Sequence, residues 1–143
     1  MSRLKLDKAN AIVREAFKKA AELQLKPLAV AVLDAGGHLR AFQSQDGSSL
    51  LRPQIAQGKA YGALAMGIGS RAINRLADER PNFANAIITM AGGALVPVPG
   101  GVLIRARNGD VIGAVGVTGD TSDNDEACAV AGIEAAGLTA DQG

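Results

Sequence analysis

Several residue types are scarce in this sequence, and each scarcity excludes a kind of chemistry. The 143 residues include one cysteine, one histidine, one tyrosine and no tryptophan. The lone Cys128 cannot form an internal disulfide, and its place in the apolar pattern of the last predicted helix indicates a packing role. Because no second His or Cys stands at metal-ligand spacing from His38, the sequence predicts no zinc site. It contains no recognisable Ser/His/Asp nucleophilic triad either.

The chain also lacks a charge bias and a long apolar run. Its formal net charge is +1, and aromatic residues make up 3% of the sequence. Nucleic-acid binding is therefore not expected, because it needs a basic patch and often an aromatic stacking platform. The N-terminal segment is charged rather than apolar, and no apolar run approaches the ~20 residues that a membrane-spanning helix needs. We expect a cytoplasmic protein with no membrane partner.

Small apolar residues are abundant instead. Hydrophobic residues make up 48% of the chain, and there are 18 glycines. We expect residues 1–143 to form one domain, whose core of Ala, Val, Leu, Ile and Gly packs by close backbone approach. Small residues on many faces also predict extensive contacts, including contacts between subunits.

Hydrophobic periodicity predicts a series of helices. Asp7 is the expected N-cap of the first helix, Pro53 lies near the start of the second, and Ser122 or Asp123 is expected to cap the last. The predicted helices cover residues 7–25, 49–67, 70–89 with a break at Arg80-Pro81, and 122–136.

Apolar runs between these helices predict strands over residues 28–33, 38–43, 102–107 and 110–118. Asn108-Gly109 separates the last two and is the dipeptide preferred by a two-residue type I′ hairpin turn. Gly113 and Gly116 inside the last strand indicate that a helix, a ligand or another backbone comes close. The element order predicts an α+β fold, in which helices pack on the faces of a largely antiparallel sheet.

The end of the last strand is the first candidate site. There the chain runs through Thr118 and Gly119 into a helix whose start is rich in acidic residues: Asp120, Asp123, Asp125 and Glu126. One interpretation is a well-capped helix, because carboxylates stabilise a helix N-terminus. The functional interpretation is that Thr118, Gly116, Gly119 and Glu126 bind a small polar ligand, while the three aspartates mainly cap the helix.

Lys59 is the second part of this candidate site. Its helical phase is close to that of Ile55 and Ala63, so its side chain is expected to point inward. A buried lysine needs a partner, and Glu126 is the predicted one. Arg52 and Asp46 are expected to frame the same cleft. The alternative is a lysine whose stem packs on the protein while its ammonium group stays in solvent.

His38 follows Gly36-Gly37 at the start of a predicted strand. It is a candidate ligand for haem iron or another metal, although a lone histidine in a turn is usually neither.

Three segments give the chain a family resemblance: Val32-Leu33-Asp34-Ala35-Gly36-Gly37-His38-Leu39, Gln57-Gly58-Lys59-Ala60-Tyr61, and Gly113-Ala114-Val115-Gly116-Val117-Thr118-Gly119 with Asp125-Glu126. In this order they resemble the GlcG/HbpS family, whose domains are similar to the C-terminal part of PduO-type proteins. The resemblance covers nearly the whole chain. It implies a central antiparallel sheet of about five strands with flanking helices, dimers that build larger rings or octamers, and haem as a possible ligand.

Three functions follow as hypotheses. The first is a small-molecule-binding oligomer, with haem as the ligand that the resemblance suggests. The second is a cofactor-free enzyme for a small organic acid, with catalytic residues Lys59 and Glu126. In that enzyme Glu126 acts as general acid/base, and Lys59 or Arg52 holds the substrate carboxylate. The third is a structural assembly protein, suggested by the glycine-rich and alanine-rich faces.

Overall fold

A five-stranded antiparallel sheet forms the centre of the computed structural model, which describes residues 3–143. The first two residues of the charged N-terminal segment lie outside that range. The strands are β1 (Ala29–Asp34), β2 (Leu39–Ser44), β3 (Gly101–Arg105), β4 (Val111–Thr118) and β5 (Thr139–Asp141), in the spatial order β2-β1-β4-β3-β5. The helices are α1 (Leu6–Glu22), α2 (Arg52–Met66), α3 (Ser70–Glu79), α4 (Pro81–Met90) and α5 (Ser122–Ala135). The predicted α+β class and antiparallel sheet are confirmed.

Helices cover both faces of this sheet because side chains alternate along each strand. Val30 and Val32 of β1, together with Val115 and Val117 of β4, belong to the larger core, which also contains the apolar stripes of α1 and α5. Residues of opposite parity, such as Leu33 and the alanines of β1, pack against α2. The central strands β1 and β4 are almost entirely buried, whereas β2 is an exposed edge strand.

Close backbone approach brings α2 onto the sheet. A Cβ atom placed on Gly116 would collide with the carbonyl oxygen of Ala56 in α2, so only glycine fits there. Ala114, Ala60 and Ala63 fill the neighbouring space. The prediction that a helix, ligand or backbone approaches Gly116 is confirmed, and the neighbour is the helix backbone.

Two helix ends differ from their predictions. Lys5, not Asp7, occupies the N-cap of α1, and Asp7 lies in the first turn, where its charge still favours the helix dipole. In α5 the N-cap is Thr121, whose Oγ1 accepts a hydrogen bond from the backbone N–H of Asn124 at 3.2 Å. The predicted break at Arg80-Pro81 is confirmed, since it separates α3 from α4.

The β3–β4 hairpin is present, but the predicted turn type is wrong. The N–H of Gly109 donates to the carbonyl of Ala106 at 2.9 Å, and Gly109 has φ +92°, whereas Asn108 has no positive φ. A type I′ turn needs positive φ at two successive residues. The connection is instead a turn over residues 106–109 that ends in a left-handed glycine. The residue-by-residue prediction also omitted β5, a three-residue strand on β3.

Candidate functional site

The predicted inward lysine lies at the centre of a buried polar cluster at the C-terminal end of β4. Lys59 is 2% exposed, and its Nζ donates to Asp125 Oδ2 at 3.1 Å and to the carbonyl of Val117 at 2.9 Å. Its inward orientation follows from its position in α2, beside the alanines that pack on the sheet. Burial lowers the pKa of Lys59; the charge and hydrogen bond of Asp125 oppose this effect, and the nearby charge of Arg52 reinforces it. The alternative of a solvent-exposed ammonium group is wrong.

Asp125 is the partner of Lys59, so the predicted pairing with Glu126 is wrong. Asp125 is 1% exposed, and its second oxygen accepts the backbone N–H of Asp120 at 2.9 Å. Successive residues of a helix point about 100° apart, so only one of the two acids can face Lys59. The sequence contained a signal for the right one, because Asp125 precedes the buried Cys128 and Ala129 by three and four residues.

Glu126 instead forms an ion pair with Arg71, a residue of α3 that the sequence analysis did not single out. Arg71 Nε donates to both carboxylate oxygens, at 2.9 and 3.2 Å, and its Nη2 contacts Asp123. These two acids raise the pKa of Arg71. No local sequence pattern indicates this contact, because the two residues are 55 positions apart.

Arg52 and Thr118 meet at the edge of the same cluster. Thr118 is 1% exposed, and its Oγ1 accepts a hydrogen bond from Arg52 Nη1 at 2.7 Å. Within residues 3–143, Arg52 forms no ion pair with a carboxylate. The structure therefore places Arg52, Lys59, Thr118 and Glu126 around the β4–α5 connection, although each is already bound to a protein group.

Three other predicted ligand-binding residues have different surroundings. Gly116 is covered by α2, and Gly119, with φ +145°, lies against the carbonyl of Pro27. Asp46 lines a separate cavity of about 560 Å³, together with Phe17, Pro27 and Gln43. The packing explains why both glycines are needed for the fold. A ligand-binding role for these three residues stays a prediction.

His38 lies at the other end of the sheet. Ala29 at the start of β1 pairs with Thr118, whereas Asp34 at the end of β1 pairs with Gly113. Six strand residues rise about 20 Å, so the two ends are too far apart to bind one small ligand. The Lys59 cluster and the turn at His38 are therefore separate polar regions.

A single carboxylate organises the turn that carries His38. Asp34 Oδ1 accepts the backbone N–H groups of Gly36 and His38 at 3.0 Å each, and it lies 3.1 Å from His38 Nδ1. Burial acts to raise the pKa of Asp34, but the hydrogen bonds from His38 and Gly36 outweigh it and hold the pKa below its usual range. Because an ionised carboxylate can only accept, the ring proton that points to Asp34 lies on Nδ1, and Nε2 is the nitrogen that faces away from this contact.

The imidazole borders an open cavity. The His38 side chain is 78% exposed. Beside it is a cavity of about 320 Å³ that combines apolar and cationic side chains: Leu4, Ala35, Ile112, Arg3 and Arg40.

Within residues 3–143, no group of three or more His, Cys, Asp or Glu side chains is arranged to hold a metal ion. The lone Cys128 is buried, and burial raises the pKa of its thiol to about 11. In the described part of the chain, no helix is both long and apolar enough to span a membrane.

Comparison with known proteins gives relatives over most of the chain. An uncharacterized 15.0 kDa protein encoded in the dhaT-dhaS intergenic region of Citrobacter freundii is 29% identical over 116 residues, which is 81% of this chain and 80% of the relative. The fold is similar to that of the PduOC:heme complex, with a TM-score of 0.87 and 24% identity over 99% of this chain and 100% of the other. The Klebsiella pneumoniae protein ORFY has a TM-score of 0.85 and 24% identity, covering 96% and 93% of the two chains.

HbpS has the same fold, with a TM-score of 0.79 and 22% identity over 94% of this chain and 90% of the HbpS chain. The model of the family described as "Haem degrading protein HbpS-like" matches residues 4–134. The predicted family resemblance is therefore confirmed, and the chain belongs to the HbpS-like family.

Proposed function

We propose that the protein binds haem as a small-molecule ligand and that His38 ligates the iron through Nε2. The observation that carries this proposal is the geometry at the β1–β2 turn, where Asp34 engages Nδ1 and leaves Nε2 free in an exposed ring. Iron-ligating histidines typically donate their other ring N–H to a carboxylate or carbonyl, which fixes the tautomer and makes the ligand more basic. The description of the family and the haem complex of PduOC support the same ligand class.

The surrounding residues fit such a ligand. Haem needs one axial donor and apolar contacts with its ring, and its propionates favour cationic neighbours. His38 is the donor, Leu4 and Ile112 are the apolar contacts, and Arg3 and Arg40 line the same cavity. Its volume of about 320 Å³ is smaller than a haem, so part of the bound ring would extend beyond the cavity. When bound, haem would supply an iron centre capable of ligand exchange and electron transfer.

A titration followed by Soret absorbance tests this proposal. We expect a shifted Soret band that saturates near one haem per chain, and its loss in His38→Ala, with recovery of an imidazole-ligated spectrum on adding free imidazole. Gln43→Ala is the matched control, because Gln43 is an exposed residue of β2, the strand that follows His38, and lies outside the His38 cavity. Absence of a shifted band at stoichiometric haem would contradict haem binding. An unchanged band in His38→Ala would place the iron on another residue.

Self-association is the second part of the proposal. Large apolar side chains remain exposed, including Leu50 at 95%, Met90 at 87%, Leu51 at 61% and Leu39 at 48%. Leu39 directly follows His38, so a second copy of the chain is well placed to cover the haem region. Sedimentation velocity is expected to give a species at least twice the chain mass of 14.5 kDa. A single monomeric species at micromolar concentration would contradict self-association.

One observation supports the hypothesis that the protein is an enzyme for a small organic acid. Arg52 donates to Thr118 but pairs with no carboxylate among residues 3–143, so its remaining N–H groups are available to the carboxylate of a small organic acid. Lys59 and Glu126, the predicted catalytic residues, are each engaged by a protein partner. NMR titration with acetate tests the binding step. Saturable shifts of the Arg52 side-chain N–H signals support it, and no shift at about 50 mM acetate, well above typical KM values, argues against it.

A further inference from the structure

A third cavity, of about 370 Å³, lies beside α2. It is distinct from the Lys59 cluster and from the cavity that holds the His38 ring. We call it the Tyr61 cavity, and its defining residues are Gly37, Gln54, Gln57, Tyr61, Gly92 and Gly93. Neither haem binding at His38 nor organic-acid binding at Arg52 uses it.

Two rigid segments form its walls. Gln54, Gln57 and Tyr61 are spaced three and four residues apart in α2, so their side chains share one face of the helix. The opposite wall is the glycine segment after α4, which is held near the helix by a hydrogen bond from the N–H of Val96 to the carbonyl of Gly58 at 3.1 Å. A Cβ atom on Gly92 or Gly93 would have no neighbour within 4 Å, so this wall leaves room for a ligand.

The Tyr61 ring provides the apolar surface. A Cβ atom placed on Gly37 would lie 3.7 and 3.8 Å from two carbons of this ring, so the ring lies beside the glycine of the β1–β2 turn. Tyr61 is nevertheless 38% exposed. An aromatic side chain supported on one side and accessible on another is suited to stacking with a planar ligand.

The polar side chains of the cavity are uncharged: two glutamine amides and the Tyr61 hydroxyl, which can both donate and accept hydrogen bonds. Among residues 3–143, no carboxylate, ammonium, guanidinium or imidazole group lines it. Gln57 Nε2 donates to the carbonyl of Pro53 at 3.2 Å, which leaves Oε1 as a free acceptor. The N–H groups of Gly92 and Gly93 already donate to Thr89 and Ile88. A charged ligand would lose hydration here without gaining a counter-charge, whereas an uncharged N–H donor would find acceptors.

We propose that the Tyr61 cavity binds a small, uncharged, planar aromatic molecule that carries N–H donors at its edge, such as an aromatic carboxamide, stacked against Tyr61. This site borders the same β1–β2 turn as the proposed haem site but uses different side chains, since neither His38 nor Asp34 lines it.

The amino-acid composition makes this proposal directly measurable. Tyr61 is the only tyrosine and the chain has no tryptophan, so tyrosine emission reports on this cavity alone. Benzamide and benzoate are the probes, because they have nearly the same shape but differ in charge, and cyclohexanecarboxamide tests the need for a planar ring. In the haem-free protein we expect saturable quenching or a saturable shift with benzamide. Benzoate should bind at least about tenfold more weakly, which corresponds to ~1.4 kcal/mol.

Variants that keep Tyr61 locate the binding site. Ala94→Leu fills the cavity from an exposed position, and Gln57→Leu removes its free acceptor, so both should weaken benzamide binding by about tenfold or more. Gln43→Leu on β2 is the matched control and should bind as the original chain does. His38→Ala should also bind benzamide normally, which separates this test from the haem titration. Quenching that does not saturate, that is equal for benzamide and benzoate, or that persists in Ala94→Leu would overturn the proposal.

Discussion

The two ends of the β1–β4 pair hold similar groups in opposite environments. At one end the Lys59 and Asp125 side chains are 3% and 2% exposed, and at the other the His38 and Asp34 side chains are 78% and 23% exposed. Both ends contain a carboxylate that engages a nitrogen at 3.1 Å. At the buried end the hydrogen bonds of the Lys59–Asp125 pair join α2, α5 and the end of β4, whereas at the exposed end the carboxylate orients a ring that retains a free nitrogen.

The difference shows how to distinguish a structural polar group from one that can bind a ligand. Within residues 3–143, every buried side-chain nitrogen or oxygen has a hydrogen-bond partner. A ligand at Lys59 would have to displace Asp125 or Val117, and breaking a buried ion pair is costly. A ligand at His38 displaces only water. A carboxylate paired with a nitrogen therefore has a structural role at the buried Lys59 end, and the same kind of pair is expected to bind a ligand at the exposed His38 end.

Loss of the buried cation is expected to have the largest effect. Lys59→Ala leaves the Asp125 carboxylate buried without its partner, and we expect the free energy of unfolding to fall by about 3–5 kcal/mol in urea denaturation. The double variant Lys59→Met with Asp125→Leu should recover most of this loss, since an apolar pair of similar volume leaves no unpaired charge. A fall of less than about 1 kcal/mol in the single variant would mean that the pair is not buried as described.

At the exposed end, Asp34→Asn should affect ligand binding more than folding. An asparagine Oδ1 can still accept the turn N–H groups, but the carboxylate charge that polarises the His38 ring is lost. Haem affinity should fall about 10- to 100-fold, and the iron–histidine stretching frequency should decrease in resonance Raman spectra. Asp110→Asn, in the turn between β3 and β4, is the control. An unchanged frequency would show that Asp34 does not position the ring.

Breaking the Arg71–Glu126 ion pair is expected to have an intermediate effect on stability. Its side chains are 36% and 13% exposed, so solvent screens part of the attraction. We expect Arg71→Ala to lower the free energy of unfolding by about 1 kcal/mol or less. Arg105→Ala breaks a pair of similar length with Asp141 and provides the comparison. A loss of unfolding free energy as large as that of Lys59→Ala would show that the Arg71–Glu126 pair stabilises the fold as strongly as the buried Lys59–Asp125 pair.

The smallest effect on stability is expected for His38→Ala. The ring is mostly exposed, so the free energy of unfolding should change by no more than about 0.5 kcal/mol, while haem binding is lost. A larger loss of stability would make the histidine a structural residue.

The same substitution should raise the pKa of Asp34, because it removes the ring hydrogen bond that helps to lower this pKa. A pKa lower in the folded than in the unfolded chain means that Asp34 contributes fully to stability above its ordinary value of 3.8, and that this contribution is lost as pH falls through the folded pKa. Carboxyl ¹³C NMR titration of the original chain and the variant measures the change. Identical values would show that only the backbone N–H groups lower the pKa.

Much of the fold could be predicted because the sequence pattern follows directly from burial. The continuous apolar run of β1 becomes a strand covered on both faces, and Arg80-Pro81 divides two helices. The strand β5 was missed because Thr139–Asp141 is too short to establish an alternating pattern. The type I′ turn was wrong because Asn-Gly is compatible with more than one hairpin connection, and one additional loop residue changes the turn geometry.

The candidate site was only partly predictable. The inward orientation of Lys59 follows from local periodicity, but its partner depends on how far α5 rotates about its own axis. Asp125 and Glu126 are adjacent in sequence, so a small error in helical phase exchanges their roles. Arg71 could not be connected to Glu126 from the sequence, because that contact depends on how α3 packs beside α5.

Because α2 packs on the sheet through small residues, the Lys59–Asp125 pair has a further structural role. A helix that rests on a sheet through glycine and alanine has few bulky side chains to interlock with its support, so sliding along its own axis meets little steric resistance. A slip of one turn, about 5.4 Å, would carry the ammonium group out of reach of Asp125. We therefore expect the ion pair to fix the axial position of α2, and with it the positions of Arg52 and Tyr61. Hydrogen exchange in the double variant Lys59→Met with Asp125→Leu measures this restraint, since α2 amides should exchange faster even where overall stability has recovered.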